Sequence, residues 1–160
     1  ETKAVEIRPD RLDIRVHTSK KEKKISSYRE RNCTITLSIK ITNKNRADIS
    51  DYSAKLYAYV GYSKDKYLIS LAHTFEEDFS IPAGKSISLE KRIFNFTYHN
   101  HSGCPNDQHG YSSYLLIITD DQGNQFIVKS STSKLVKYVD KVLKMSRGKR
   151  FHLKEGHVVN

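Results

Sequence analysis

The sequence predicts a mainly β protein, an antiparallel β-sandwich of about seven strands with one C-terminal amphipathic helix. Three observations carry this. Residues 33–42 alternate strictly: Cys33, Ile35, Leu37, Ile39 and Ile41 are apolar, and Thr34, Thr36, Ser38, Lys40 and Thr42 are polar. A helix would wind the odd positions round its whole surface, whereas a strand puts them on one face. The composition holds ten Tyr, one Met and no Trp, and Tyr with β-branched residues suits a pleated, half-buried surface. Polar turn sequences also recur at short intervals, as sandwiches require.

In chain order, Leu12, Ile14 and Val16 alternate as a first strand after Pro9-Asp10, and the lysines within 20–24 read as a basic connector. The strand at 33–42 ends in the polar turn Asn43-Lys44-Asn45-Arg46-Ala47-Asp48. Residues 54–61 form the next strand, with Ala54, Leu56, Ala58 and Val60 on one face and Lys55, Tyr57 and Tyr59 on the other. Residues 67–75 alternate again. In Ile81-Pro82-Ala83-Gly84-Lys85, Pro fixes φ and Gly is free to take a positive one, which makes a turn. Ile87, Leu89 and Ile93 then alternate in a fifth strand that ends in Phe94, Phe96 and Tyr98. Residues 99–111 are loop by composition.

Residues 114–119 form a near-continuous apolar run, as a strand covered on both faces would. Asp121-Gln122-Gly123-Asn124 is a hairpin turn, with 125–129 as the partner strand. The period then changes. Leu135, Val139 and Val142 stand at i, i+4 and i+7, and the serines and threonine of 131–133 are able to supply an N-cap. One helix over 133–146, stopped by Gly148 and followed by a basic tail, is the expectation. The domain reading is a sandwich over 1–131, a helix over 132–147 packed on or beside it, and a tail over 148–160.

The 160 residues fit one domain. Lys and Arg exceed Asp and Glu by 28 to 18, for a net charge of +10. Such a bias attracts anionic partners and does not bear on fold. No run reaches the roughly 18 apolar residues a membrane span needs. The chain begins at Glu1, so processing that removed a preceding leader or anchor is the expectation. Cys33 and Cys104 fit no CxxC or zinc spacing. One long-range disulfide between them would contribute on the order of 4 kcal/mol in the chain-entropy model; two free thiols are the alternative.

The order of these features resembles immunoglobulin-like extracytoplasmic domains. Ile39-Lys40-Ile41-Thr42-Asn43-Lys44-Asn45 is an alternating strand ending in an Asn-rich turn, and Lys55-Leu56-Tyr57-Ala58-Tyr59 is a Tyr-bearing strand. Ile81-Pro82-Ala83-Gly84-Lys85-Ser86 and Ile117-Ile118-Thr119-Asp120-Asp121-Gln122-Gly123 complete the pattern, which spans residues 33–130. Taken whole, the chain is similar to pilus-associated immunoglobulin-like surface proteins of mucin-degrading gut bacteria. The resemblance implies an immunoglobulin-like sandwich without catalytic residues or cofactor. It implies an extracytoplasmic setting, periplasmic or cell-surface, and a structural or adhesion role in a pilus-like or envelope assembly. The absent Trp, the helix and the tail depart from the family pattern.

Four constellations bear on chemistry. His99, His101 and His109, with Cys104 and Asp107, are the one clustered set of metal-capable side chains, against the alternative of a polar loop tethered by a disulfide. Zinc there would make a hydrolase the rival chemical class. The carboxylates at Glu76-Glu77-Asp78 and Asp120-Asp121 read as solvated strand ends and hairpin. No Gly-x-Ser-x-Gly elbow, Walker loop or dinucleotide fingerprint occurs. Lys20, Lys21, Lys23, Lys24, Lys144, Arg147, Lys149 and Arg150 are candidates for a polyanion-binding patch. With Tyr57, Tyr59, Tyr62 and Tyr67 exposed, they would suit single-stranded nucleic acid. The charge sits in connectors and tail rather than on strand faces, which favours a protein partner or self-association, with an anionic glycan or membrane surface as further partners. Edge strands, whose unpaired backbone groups accept another strand, are the expected contact points.

Overall fold

The computed structural model describes residues 6–24, 30–62, 65–99, 108–146 and 149–159, with backbone alone at 24, 30, 31, 98, 99 and 108–111. Its alternating segment forms β2 (Glu30–Asn43). Cys33, Ile35, Leu37 and Ile41 are fully buried and Ile39 nearly so. β2 is the centre of the first sheet. β1 (Leu12–Lys24) pairs with one side of it, and β5 (Ser86–Ser88) and β6 (Arg92–His99) pair in succession with the other. All these pairings are antiparallel.

The second sheet runs β10 (His157–Val159), β9 (Arg150–His152), β4 (Leu68–Ile81), β3 (Ile49–Tyr62), β7 (Gln108–Thr119) and β8 (Gln125–Ser130), also antiparallel throughout. The inner faces of the two sheets enclose one core, in which Ile35, Leu37 and Ile41 meet Leu56, Val60 and Leu116. Each such side chain contributes about 1.5–3 kcal/mol by leaving water. The fold is an immunoglobulin-like antiparallel sandwich.

A second apolar cluster covers the outer face of the second sheet. Tyr59, Ile69, Leu115 and, beside Ile69, Phe151 lie beneath Leu135 and Val142. Positions 113–118 of β7 are therefore buried on both faces, as their continuous apolar run predicts. The cover consists of α1 (Ser133–Lys137), α2 (Val139–Val142) and the turn joining β9 to β10, whose Leu153 is buried in the same cluster. The expected single helix is broken at Tyr138, whose ψ of 23° leaves the helical well. The Tyr138 ring turns onto Phe151, 5.7 Å between centroids, and the β-branched valines on either side add little helical propensity to resist the break. Thr132 is the N-cap, its hydroxyl accepting from Lys134 N.

The C-terminal tail also differs from expectation. Arg150–His152 extends the second sheet by pairing with β4, and Phe151 is fully buried. Phe151 and Leu153 are too sparse to show a period, and only the vacant edge of β4 gives them a place. Residues 20–24, expected as a connector, continue β1 against residues 31–35 of β2. β2 supplies a backbone ladder there that local composition does not announce.

The strand expected over 87–98 splits into β5 and β6. Lys40 pairs with Ser88 and Leu37 with Arg92, so three residues of one strand oppose two of β2. One extra residue reverses the inward face. Ile87 faces the core side with Ile41, but Phe94 is buried while Ile93 is 58% exposed. Leu89 N bonds to Ile39 O across the break at 2.9 Å. Gly84 does take the positive φ its turn requires, +75°.

Candidate functional site

The sandwich is open along one side, where the ends of the two sheets meet. β1 and β8 each end their sheet, with no further strand beyond them among the described residues. Between them runs a groove of about 560 Å³, bordered by Leu12, Asp13 and Ile14 on one wall and Phe126, Val128 and Lys129 on the other. Phe126 is fixed edge-on against Tyr52, 5.2 Å between centroids. Lys129 Nζ donates across the groove to Ile14 O at 2.6 Å. The Ile14 carbonyl therefore points away from β2. In an antiparallel strand the N–H and C=O of one residue share a side, and residues two apart repeat it. The backbone groups of Val16 and Thr18 face the same open edge. Sequence reasoning named edge strands in general and missed Lys129; nothing in its alternating segment distinguishes it from a solvated lysine.

The structure separates the basic residues read as a patch. Lys20 stands on the core-side face of β1 opposite Ile35 and forms an ion pair with Glu22 at 2.8 Å. Lys21 and Lys23 occupy the other face of that strand, opposite Thr34 and Asn32. The Lys24 side chain and Arg147 lie outside the described residues. Lys144 follows α2, Lys149 precedes β9 and Arg150 begins it, and β4, β3 and β7 separate β9 from β8 and the β1 edge. The two halves of the patch thus sit at different sheets and different edges.

The tyrosines read as a stacking platform are mostly taken. Tyr59 is fully buried and Tyr57 nearly so, both under the C-terminal cover. Tyr62 and Tyr67 are half-buried. The Tyr67 ring is ringed by lysines, with Lys134 Nζ 4.3 Å, Lys66 Nζ 5.1 Å and Lys154 Nζ 5.7 Å from its centroid. The expectation that Tyr57 and Tyr59 are exposed is corrected. Their strand lies inside a second hydrophobic layer, which alternation alone does not reveal.

The Cys33 side chain is buried in β2; as a free thiol, its pKa is raised by burial, with Lys20 lowering it and Glu22 raising it to smaller extents. Cys104 lies outside the described residues, and the disulfide pairing with it. His101 and Asp107 lie outside as well, and the side chains of His99 and His109 are not described; their backbones end β6 and begin β7, in different sheets. Among the described residues no group of three or more His, Cys, Asp or Glu is placed to hold a metal.

The acidic clusters have structural partners. Glu77 Oε1 accepts from Arg92 at 3.0 Å and from Glu90 N at 3.1 Å, which braces the break between β5 and β6. Asp120 Oδ1 accepts from Gln122 N and Asn124 N, both at 2.9 Å, which closes the hairpin turn. No helix among the described residues is long and apolar enough to cross a membrane.

No family model matches the chain, and no curated protein matches it. Solved structures similar to it include a crystal structure from Akkermansia muciniphila, 12% identical over 86% of this chain and 78% of that one, with a TM-score of 0.37. The E. coli curli protein CsgC is 13% identical over 73% of this chain and 98% of its own, with a TM-score of 0.34. A beta-glucuronidase from glycoside hydrolase family 2 is 12% identical over 71% of this chain, with a TM-score of 0.37, but only 10% of that enzyme is covered. At these identities and scores the three likenesses do not bear on function.

Proposed function

We propose that this chain is a non-catalytic, extracytoplasmic structural or adhesion module that receives an extended segment of a protein partner along the free edge of β1. The observation that carries this reading is the Lys129–Ile14 contact at the open side of the sandwich, which marks outward-facing backbone groups beside an apolar wall. Main-chain bonds at such an edge supply affinity, and alternate side chains supply selectivity. Lys129 acts as a guard. Its ammonium occupies the Ile14 carbonyl until a partner N–H replaces it, as charged groups commonly protect sheet edges.

Charge chooses between partners. β1 carries Arg15, Lys20, Lys21, Lys23 and Lys24 against Asp13 and Glu22. Two copies of this strand laid edge to edge repel, while a strand bearing Asp or Glu is attracted, so an acidic partner strand is favoured over self-association.

The test titrates the isotopically labelled chain with a peptide of alternating Glu and Val, following the backbone amides by NMR. Shifts concentrated at Val16 and Thr18, abolished in Val16→Pro, are expected. Proline there removes an outward N–H without touching the ladder to β2. Amides of β1 that do not respond, or an unchanged response in Val16→Pro with the β1–β2 ladder intact, overturn the reading. The extracytoplasmic setting has its own check: a Cys33–Cys104 disulfide, found by peptide mapping without reduction of protein isolated from its native source, is expected.

A further inference from the structure

At the Leu12 end of the groove, the segment before β1 and the turn after β2 enclose a separate cleft of about 280 Å³. Its walls are Glu6, Arg8, Arg11, Lys44, Asn45 and Arg46. Four of these six side chains are cationic. Arg8 shares its guanidinium with Asp10, 2.8 Å away, but no carboxylate among the described residues pairs with Arg11, Lys44 or Arg46. Gathering like charges in this way costs folding stability, and within the described fold only the Asp10 partner of Arg8 and Glu6 on the wall work against it.

The walls are held rigidly. Asn45 is buried, and its side chain bridges the Arg8 backbone in both directions, accepting from Arg8 N at 2.8 Å and donating to Arg8 O at 3.3 Å. Lys44 N donates to Arg11 O at 2.8 Å. The Asn45 amide is aimed in turn by the fully buried Asn43, whose Oδ1 accepts from both Asn45 N and Asn45 Nδ2. These bonds fix the backbone from which the cations project, so an arriving anion has only their side chains to order.

We infer that this cleft is a binding site for a compact oxyanion group carrying two or more negative charges, of the diphosphate type. Two guanidinium forks, Arg11 and Arg46, match tetrahedral oxyanions through paired N–H donors, and Lys44 adds a point charge. A cleft of this size holds one small charged group at a time. The volume falls just under the usual range for small-ligand pockets, roughly 300–1,000 Å³, and no aromatic ring among the described residues lines it to stack a base or a sugar. Glu6 on the wall selects for charge: a singly charged carboxylate gains little against it, while a multiply charged group outweighs it.

The experiment is isothermal titration of the full chain with inorganic pyrophosphate, inorganic sulfate and a sulfated disaccharide at matched ionic strength. One-to-one binding of pyrophosphate is expected, tighter than sulfate and weakening as salt rises. Arg46→Ala and Arg11→Ala should each weaken it at least about tenfold, the loss expected of a charge-assisted pair. Lys21→Ala, on a β1 face remote from the cleft, should leave it unchanged. Both arginines are exposed, and a preserved unfolding midpoint identifies the variants as folded. Absence of pyrophosphate binding overturns the inference, as does equal weakening by Lys21→Ala, which would mean diffuse charge attraction. Tighter binding of the disaccharide than of pyrophosphate overturns the assigned ligand class. The result is independent of the β1 edge, because Val16→Pro leaves every cleft residue in place.

Discussion

Two side chains state the balance of forces most directly. Tyr59 is fully buried between the second sheet and its C-terminal cover, and its hydroxyl has no hydrogen-bond partner among the described residues. Burial raises its pKa, with Tyr57 adding to the shift, so the phenol stays neutral. An unpaired buried hydroxyl costs about 1–3 kcal/mol. Tyr59→Phe, which keeps the ring and removes that group, should raise stability by about 1 kcal/mol in urea denaturation. Asp65 is the opposite case. Its carboxyl is held below the usual carboxylate range, first by the hydrogen bond from Tyr67 N and then by His152, whose Nε2 lies 2.9 Å away. A carboxyl whose pKa is lower in the folded state stabilises fully above its unfolded value, and that contribution disappears as pH falls through the folded value. The gap in urea midpoint between the wild-type chain and Asp65→Asn should therefore shrink to nothing in acid. A gap that persists there would mean the carboxylate charge is not what Tyr67 and His152 respond to.

Among the elements, the C-terminal cover has the most to say about how the chain is built. The β9–β10 turn carries Gly156 at φ +74°, and a Cβ at that position would stand 2.6 Å from two atoms of the Tyr138 ring. Lys141 Nζ also donates to Gly156 O at 3.0 Å. Gly156→Ala combines a left-handed backbone with a steric clash, so a loss of about 1–3 kcal/mol is expected. Hydrogen exchange at Phe151 N should accelerate, while exchange in β2, which belongs to the other sheet, should not. Uniform acceleration would show that the cover and the sandwich unfold together. The same element shows where sequence reading falls short. The apolar spacing of Leu135, Val139 and Val142 announces a helix, but the break at Tyr138 depends on Phe151, thirteen residues further along and brought there by pairing with β4. The flipped face between Leu89 and Phe94 has a like origin. A one-residue bulge leaves the composition of a strand untouched and reverses everything after it.

For the whole molecule, local patterning determined the sandwich and most of its inner face. The odd positions of β2 are buried, the run at 114–118 is covered on both sides, and the turns at Gly84 and Gly123 take their left-handed φ where composition placed them. These follow from side-chain period and from glycine's freedom, properties of neighbouring residues that the sequence carries in full. Tertiary structure alone decided which surfaces meet. It put Tyr57 and Tyr59 under a second layer, drew residues 150–152 onto the edge of β4, and separated Lys20–Lys24 from Lys149 and Arg150. It also brought Arg8 and Arg11 beside Lys44 and Arg46, and Lys129 onto the Ile14 carbonyl. Each of those contacts joins segments far apart in the chain, and their energy depends on distance through space, which no local period encodes.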